Sequence, residues 1–168
     1  MSGTRESVRI LGIDPGSQVT GWGMVELRGS SLTCLDYGVL RSPSKAPLPE
    51  RLSVLHDGMK QLLAEVQPDE VAVEDLYVAR NVRSALTLGH ARGVILLACA
   101  DRDLPLSEYP ANTIKQSVLG QGGSAATKER IAFMVKAILD LAEVPEPADI
   151  TDALACAICH AHKRSVPA

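Results

Sequence analysis

Four acidic residues, spread over three places in the sequence, could act together on a metal ion or a phosphate ester. Asp14 ends the apolar run VRILGID, and Glu74 ends the apolar run VAVE. Asp149 and Asp152 begin DITDALACAICHAH, whose apolar residues predict a buried helix, and their spacing of three places them on one face. Carboxylates at the ends of buried elements are costly unless they are paired or bind metal. They suit Mg²⁺ or Mn²⁺, and two such ions can catalyse phosphodiester hydrolysis.

Each of these acids also has an ordinary structural explanation. An aspartate before Pro-Gly, as at Asp14, is typical of a turn. Acids in the first turn of a helix, such as Asp149 and Asp152, interact favourably with the helix dipole. These explanations are harder to accept together, because the acids lie at the ends of three separate core elements. The combination favours a metal-dependent site.

The final stretch allows two other kinds of site. Cys156-x-x-Cys159-His160 is typical of c-type haem attachment, and with His162 it offers four possible zinc ligands. A haem would need export and a large pocket, and neither is indicated. Zinc needs four ligands that converge tetrahedrally, and His162 points away from the face that carries the other candidates. We interpret both cysteines as core packing residues.

The composition is that of one globular domain with a substantial core. The chain has 168 residues, of which 46% are hydrophobic, and we expect a single domain over residues 1–168. The net charge of -3 provides no general attraction for DNA, so any DNA contact must depend on a local patch. We expect no signal sequence, because the start MSGTRES is polar, and no apolar run is long enough to span a bilayer. We therefore expect a cytoplasmic protein with reduced cysteines and no membrane association.

The periodicity of apolar residues predicts the elements that must position the acids. Three strands come first, at 8–14, in TGWGMVEL and in LTCLDYGVL, with RGSS as the turn between the last two. EVAVED and LPLSEYP contain two more strands. Helices are predicted over the segments 50–66, 82–100, 112–119 and 127–141 and from 149 onward. This order predicts an α/β fold with a mixed five-stranded sheet flanked by helices.

Four long segments resemble the RuvC family of Holliday-junction resolvases. They are ILGIDPGSQVTGWG, VAVEDLYVARNVRSALTLGHARG, YPANTIKQSVLGQGGSAATKE and ADITDALACAICHAH, and they cover nearly the whole chain in the family's order. The resemblance implies a ribonuclease-H-like fold and a homodimer that resolves four-way DNA junctions by paired symmetric nicks in recombination and repair. It further implies two Mg²⁺ or Mn²⁺ ions per active site, held by Asp14, Glu74, Asp149 and Asp152. Some family members carry histidine at the position of Asp149. The implied partners are junction DNA and a branch-migration helicase complex of the RuvA and RuvB type.

The same resemblance assigns roles in DNA binding. Lys115 and Lys128 match lysines that the family uses near its active site, and lysines suit phosphate contact as compact charges. Tyr77 matches the aromatic residue that inserts at the junction. The segment GQGGS between the two lysines exposes backbone N–H groups that could meet a phosphate, or it is simply a mobile link.

Basic residues also cluster in the segment after Glu74. Arg80 and Arg83 are candidates for DNA contact, and His90 and Arg92 follow them. The ordinary explanation for such a cluster is a solvated surface.

Small residues recur at every fourth position of one predicted helix. Ala85, Gly89 and Gly93 give it a flat groove, which suits close packing either inside the fold or across a dimer axis. We favour the dimer axis.

Two other functions fit parts of the sequence. GIDPGSQVTGWG also resembles the phosphate-binding hairpin of the actin-like ATPases, but those proteins close two such lobes over ATP, and 168 residues provide one. A nuclease fold kept only as a DNA-binding or scaffolding module is the other alternative, and the complete set of four carboxylates argues against it. Nucleotide binding would identify the first, and lack of metal-dependent cleavage the second.

Overall fold

A computed structural model of the chain describes residues 7–75, 81–120 and 126–164. The strands are β1 (Val8–Asp14), β2 (Val19–Arg28), β3 (Ser31–Arg41), β4 (Glu70–Glu74) and β5 (Leu106–Tyr109). The helices are α1 (Leu48–Val66), α2 (Val82–Ala100), α3 (Ala111–Leu119), α4 (Lys128–Ile138) and α5 (Ala148–Arg164). Over the described ranges, no helix is long and apolar enough to cross a membrane.

The strands form one mixed sheet in the order β3-β2-β1-β4-β5. β1, β2 and β3 make an antiparallel meander, whereas β4 is parallel to β1 and β5 is parallel to β4. Because β1 and β4 are parallel neighbours, their carboxyl ends lie at the same edge of the sheet. Asp14 and Glu74, the last residues of these two strands, therefore come from adjacent positions. The predicted mixed five-stranded sheet is confirmed.

Helices cover both faces of the sheet. On one face, α1 and α2 pack against β1 through Leu11 and Ile13. On the other face, α3, α4 and α5 surround Ile10 and Val25. β1 is thus buried on both sides, which explains why its sequence is a continuous apolar run rather than an alternating one.

The last helix lies directly on the backbone of β1 and β2 because the facing positions are glycine. A Cβ added at Gly12 would lie 2.0 Å from the carbonyl oxygen of Ala153 in α5. A Cβ added at Gly21 would lie 2.0 Å from the carbonyl oxygen of Asp149. Any larger residue at either position would push α5 away from the sheet. The predicted burial of this helix is confirmed.

Two predicted helix boundaries need correction. The helix expected over residues 127–141 ends at Ile138, because Asp140 has a left-handed φ of 50° and the N–H of Leu141 bonds to the carbonyl of Lys136. α1 begins at Leu48 rather than at residue 50, because a proline in its first turn fits a helix start.

Candidate active site

Three of the four predicted carboxylates line one pocket at the edge where β1 and β4 end. They are Asp14, Glu74 and Asp152, the last of which lies in α5. With Lys115 and Lys128 they enclose an open pocket of about 370 Å³. The parallel pairing of β1 with β4 places the first two carboxylates, and the close contact of α5 with the sheet brings the third to them.

Side chains fix the turn that follows Asp14. The hydroxyl of the fully buried Thr20 accepts a hydrogen bond from the N–H of Gly16 at 3.2 Å and donates one to its carbonyl at 3.1 Å. The guanidinium of Arg51 donates to the carbonyl of Ser17 in the same turn. The end of β1 is therefore held by both its own hairpin and α1.

Asp149 lies beside the pocket and is not part of its lining. Its backbone rests on Gly21, which pairs with Asp14 across the sheet. Burial is the main cause of the raised pKa values of Asp14 and Asp152, and the negative charge of Asp149 raises both further. The fourth carboxylate thus contributes to the electrostatics of the site from an adjacent position.

The strongest electrostatic effect falls on Asp14. Burial, followed by the charges of Glu74, Asp152 and Asp149, raises its pKa to about 8, and Lys128 offsets only part of this effect. The pKa values of Glu74 and Asp152 are also raised, chiefly by burial. Mutual repulsion of this kind would be relieved by a bound divalent cation.

The oxygen-only donor set fits Mg²⁺ or Mn²⁺. Among the residues whose placement is described, no three His, Cys, Asp or Glu side chains form a ready-made metal cage. Mg²⁺ does not require one, since it usually keeps several waters and is held by one or two carboxylates together with substrate phosphates. An open set of carboxylates beside two lysines suits this mode of binding.

The two lysines approach the acids from different helices. Lys115 lies in α3, and Lys128 is the first residue of α4. Both charges act to lower the pKa values of Glu74 and Asp152. Residues 121–125, which hold most of the GQGGS segment, lie outside the described residues. A phosphate that enters this pocket would meet both the two lysines and the carboxylates.

Of the three remaining DNA-binding candidates, Arg83 alone lies among the described residues. Arg83 is exposed in the first turn of α2 and does not line the pocket. Tyr77 and Arg80 fall outside the described residues, so their predicted roles stay predictions.

The sequence analysis missed one residue of the pocket and misplaced a second residue that lies behind it. Asp75 also lines the pocket. Arg92 is buried rather than part of an exposed basic cluster, and its side chain contacts the carbonyl of Glu74 and the carboxylates of Asp75 and Glu108. The signal was present in the sequence ARGVILL, where an arginine in an apolar helical run needs buried partners.

The Cys-x-x-Cys-His motif belongs to the core. Cys156 and Cys159 are fully buried, which confirms the predicted packing role. His160 Nδ1 lies 2.7 Å from the hydroxyl oxygen of Tyr109, and its Nε2 lies 2.7 Å from a carboxylate oxygen of Glu70. Both ring nitrogens are therefore engaged in a hydrogen-bonded network that joins α5 to β4 and β5.

Comparison with known proteins relates this geometry to a family. A family described as "Crossover junction endodeoxyribonuclease RuvC" matches residues 10–160. The protein of that name from Chloroflexus aggregans is 48% identical over 155 residues, which are 92% of this chain and 93% of the relative.

Solved structures agree with the sequence match. The structure of T. thermophilus RuvC in complex with Holliday junction substrate has a TM-score of 0.87 at 33% identity, over 94% of this chain and 95% of that chain. The yeast mitochondrial Holliday junction resolvase Ydc2 shares the fold, with a TM-score of 0.64 at 13% identity over 92% and 79% of the two chains. The expected ribonuclease-H-like fold is confirmed. Since the family match spans nearly all of the described sequence, the chain belongs to the RuvC family of crossover junction endodeoxyribonucleases.

Proposed function

We propose that this chain resolves four-way DNA junctions by metal-dependent hydrolysis of phosphodiester bonds in the pocket lined by Asp14, Glu74 and Asp152. The observation that carries the proposal is the convergence of three carboxylates and two lysines in one open pocket. Family membership supplies the substrate class, because the T. thermophilus relative was solved with a Holliday junction substrate.

The carboxylates would hold two Mg²⁺ or Mn²⁺ ions per site. When bound, such ions activate a water and stabilise the leaving oxygen of a phosphodiester. Asp14, Glu74 and Asp152 supply oxygen ligands, and Asp149 adds negative charge or a further ligand from beside the pocket. Because the pKa of Asp14 is raised to about 8, its proton must leave before a cation binds.

The lysines and the DNA-binding candidates act on the substrate. Lys115 and Lys128 place positive charge where a scissile phosphate would enter, which stabilises the charge that develops in the transition state. For Tyr77 we propose stacking on an unpaired base at the junction centre. Arg80 and Arg83 would contact the DNA backbone.

An exposed apolar face of α2 supports a homodimer. Val82, Leu86 and Leu97 are 69%, 61% and 53% exposed, and their spacing places them on one side of the helix. Gly89 and Gly93 lie on the same side, and a Cβ added at Gly93 would meet nothing within 4 Å. A second copy would cover this face, and a two-fold dimer presents two equivalent sites to a two-fold junction. For a branch-migration helicase complex of the RuvA and RuvB type, the support is family membership.

The test is cleavage of a synthetic four-way junction with each strand labelled in turn. With Mg²⁺ or Mn²⁺ we expect paired nicks at symmetric positions, no nicks with EDTA, and little cleavage of a linear duplex of the same sequence. Asp14→Asn, Glu74→Gln and Asp152→Asn should each abolish cleavage and keep junction binding. Normal cutting by any of these three variants would overturn the metal-site assignment.

A further inference from the structure

A buried guanidinium lies beneath the carboxyl end of β4. Arg92, in the middle of α2, is 9% exposed. Its Nε donates to the carbonyl oxygen of Glu74 at 3.5 Å. Its Nη2 lies 3.5 Å from Oδ1 of Asp75 and forms a closer ion pair with Glu108 of β5. One side chain therefore ties α2 to the ends of two neighbouring strands.

These contacts act on the backbone that carries Glu74. β4 ends at this residue, and beyond it the N–H of Asp75 donates to the carbonyl of Tyr109 at 2.8 Å. The cations that act on the Glu74 carboxylate itself are Lys115 and Lys128. Arg92 instead holds the carbonyl oxygen of Glu74 and the carboxylate next to it in the chain.

Position matters at this strand end because the neighbouring groups repel one another. The negative charge of Asp152 acts against that of Glu74, and Glu74 in turn acts against Asp14. A strand end that is free to move would relieve this repulsion by separating the carboxylates. Separated carboxylates would share a cation less well.

We propose that Arg92 is a positioning residue for metal binding, which holds the end of β4 so that the Glu74 carboxylate stays within the set formed with Asp14 and Asp152. The inference rests on the proposed function, because it assigns a role in metal-dependent cleavage. The planar guanidinium is needed, since it reaches a carbonyl and two carboxylates at once and a lysine ammonium does not have this geometry.

The experiment compares Arg92→Lys and Arg92→Met with the wild type, with Arg102→Met as the matched control. Arg102 is an exposed arginine just beyond the C-terminal end of α2 and does not line the carboxylate pocket. Three quantities are measured: the Kd for Mn²⁺ without DNA, the Mg²⁺ dependence of single-turnover junction cleavage, and the melting temperature. We expect both Arg92 variants to bind Mn²⁺ roughly tenfold more weakly. Their cleavage should need correspondingly more Mg²⁺, and Arg102→Met should match the wild type.

A purely electrostatic role predicts the opposite sign. Arg92→Met removes a positive charge beside Asp75 and Glu108, which alone would tighten Mn²⁺ binding, while Arg92→Lys would leave it unchanged. That pattern would overturn the proposal. A lower melting temperature with a wild-type Kd for Mn²⁺ would also overturn it, because it indicates a structural role only.

Two further results keep the test decisive. If the Arg92 variants do not fold, Glu108→Gln weakens one anchor of Arg92 and leaves the residues of the pocket in place. Weaker Mn²⁺ binding by that variant supports the proposal, and an unchanged Kd overturns it. A wild-type protein that binds Mn²⁺ but cuts no junction would refute the proposed function, whereas the binding comparison would still decide the role of Arg92.

Discussion

A Cβ added at Gly21 would lie 2.0 Å from the carbonyl oxygen of Asp149, so the first turn of α5 rests on the bare backbone of β2. Gly21 is also the residue that pairs with Asp14 in β1. Because Gly21 has no side chain, the aspartates at the start of α5 lie next to Asp14 at the end of β1. The geometry of the candidate metal site therefore depends on this contact as well as on the carboxylates.

Gly21→Ala should inactivate the protein while most of the fold survives. Real Cβ atoms do not approach a carbonyl oxygen this closely, so the start of α5 must move, and Asp152 moves with it. A displacement of about 1 Å can reduce a rate about 100-fold, and we expect a loss of that order in single-turnover cleavage.

Gly58→Ala in α1 is the control, because its Cβ would meet Leu40 at an ordinary 3.6 Å. The control should keep full activity and gain about 0.5–1 kcal/mol of stability. Wild-type cleavage by Gly21→Ala would contradict the role of the close contact.

Leu86→Glu should convert the proposed dimer into a folded monomer. The substitution places a charge in the middle of the exposed apolar face of α2, where burial against a second copy would cost a large desolvation energy. Sedimentation at micromolar concentration measures the change, and junction cleavage should lose its paired nicks. Val54→Glu on α1 is the matched control, since Val54 is also exposed but lies on another helix. Wild-type sedimentation of Leu86→Glu would place the dimer interface elsewhere.

The sequence predicted the parts of the fold that depend on local patterns. The apolar runs ending at Asp14 and Glu74 were correctly assigned to strands, and the apolar character of α5 correctly indicated burial. The sequence could not predict which groups meet across the fold. Arg92 was grouped with a basic cluster, either for DNA contact or on a solvated surface, because a charge pattern does not show that Glu108, sixteen residues later, would lie beside it.

The network around His160 shows the same limit. Its partner Glu70 is 90 residues away in the sequence and becomes a neighbour only because α5 crosses the sheet toward the start of β4. No local periodicity carries that information. The position of the site at the carboxyl end of β4, and of Glu70 at the opposite end of that strand, depends on the complete topology.

Glu70→Gln should destabilise the protein at neutral pH but not in acid. Burial alone would raise the pKa of Glu70, but hydrogen bonds from His160 and Arg164 outweigh it and hold the pKa below its ordinary value of 4.5. A lowered pKa means that the stabilisation is fully present above the ordinary value and is lost as the pH falls through the folded-state value. Chemical denaturation should show that the free energy of unfolding falls by about 1 kcal/mol at neutral pH and that this loss disappears in acid.

Cleavage should be unaffected, because Glu70 lies at the far end of β4 from Glu74. An equal loss at both pH values would show that the ionised form of Glu70 is not responsible.

Asp14→Asn should stabilise the metal-free protein while abolishing cleavage. The folded-state pKa of about 8 lies above the ordinary value of 3.8. Stability from the protonated carboxyl is therefore fully present below about 3.8 and is lost as the pH rises through about 8. Asparagine stays neutral and removes this dependence, so the variant should melt above the metal-free wild type at neutral and mildly alkaline pH. Added Mg²⁺ should raise the melting temperature of the wild type more than that of the variant. Identical melting profiles for both proteins with EDTA would show that burial and the neighbouring charges do not destabilise the ionised Asp14 carboxylate.

Lys115→Ala and Lys128→Ala should both slow cleavage, but only Lys128→Ala should also strongly shift the pH dependence of the cleavage rate. Both lysines line the pocket, and loss of either removes charge from the position of the scissile phosphate. Both lysines lower the pKa values of Glu74 and Asp152, but Lys128 also counteracts the raised pKa of Asp14. Without Lys128 the Asp14 carboxyl keeps its proton to higher pH. Because a cation must displace that proton, the rising limb of the pH–rate profile moves to higher pH.

Single-turnover rates at saturating protein, measured from pH 6 to pH 9.5 at limiting Mg²⁺, separate this shift from a change in junction affinity. Lys136→Ala, in the last turn of α4 and outside the pocket, is the control. Equal shifts for both pocket lysines would show that Asp14 does not set the pH dependence, and full rates at saturation would reduce both lysines to general phosphate contacts.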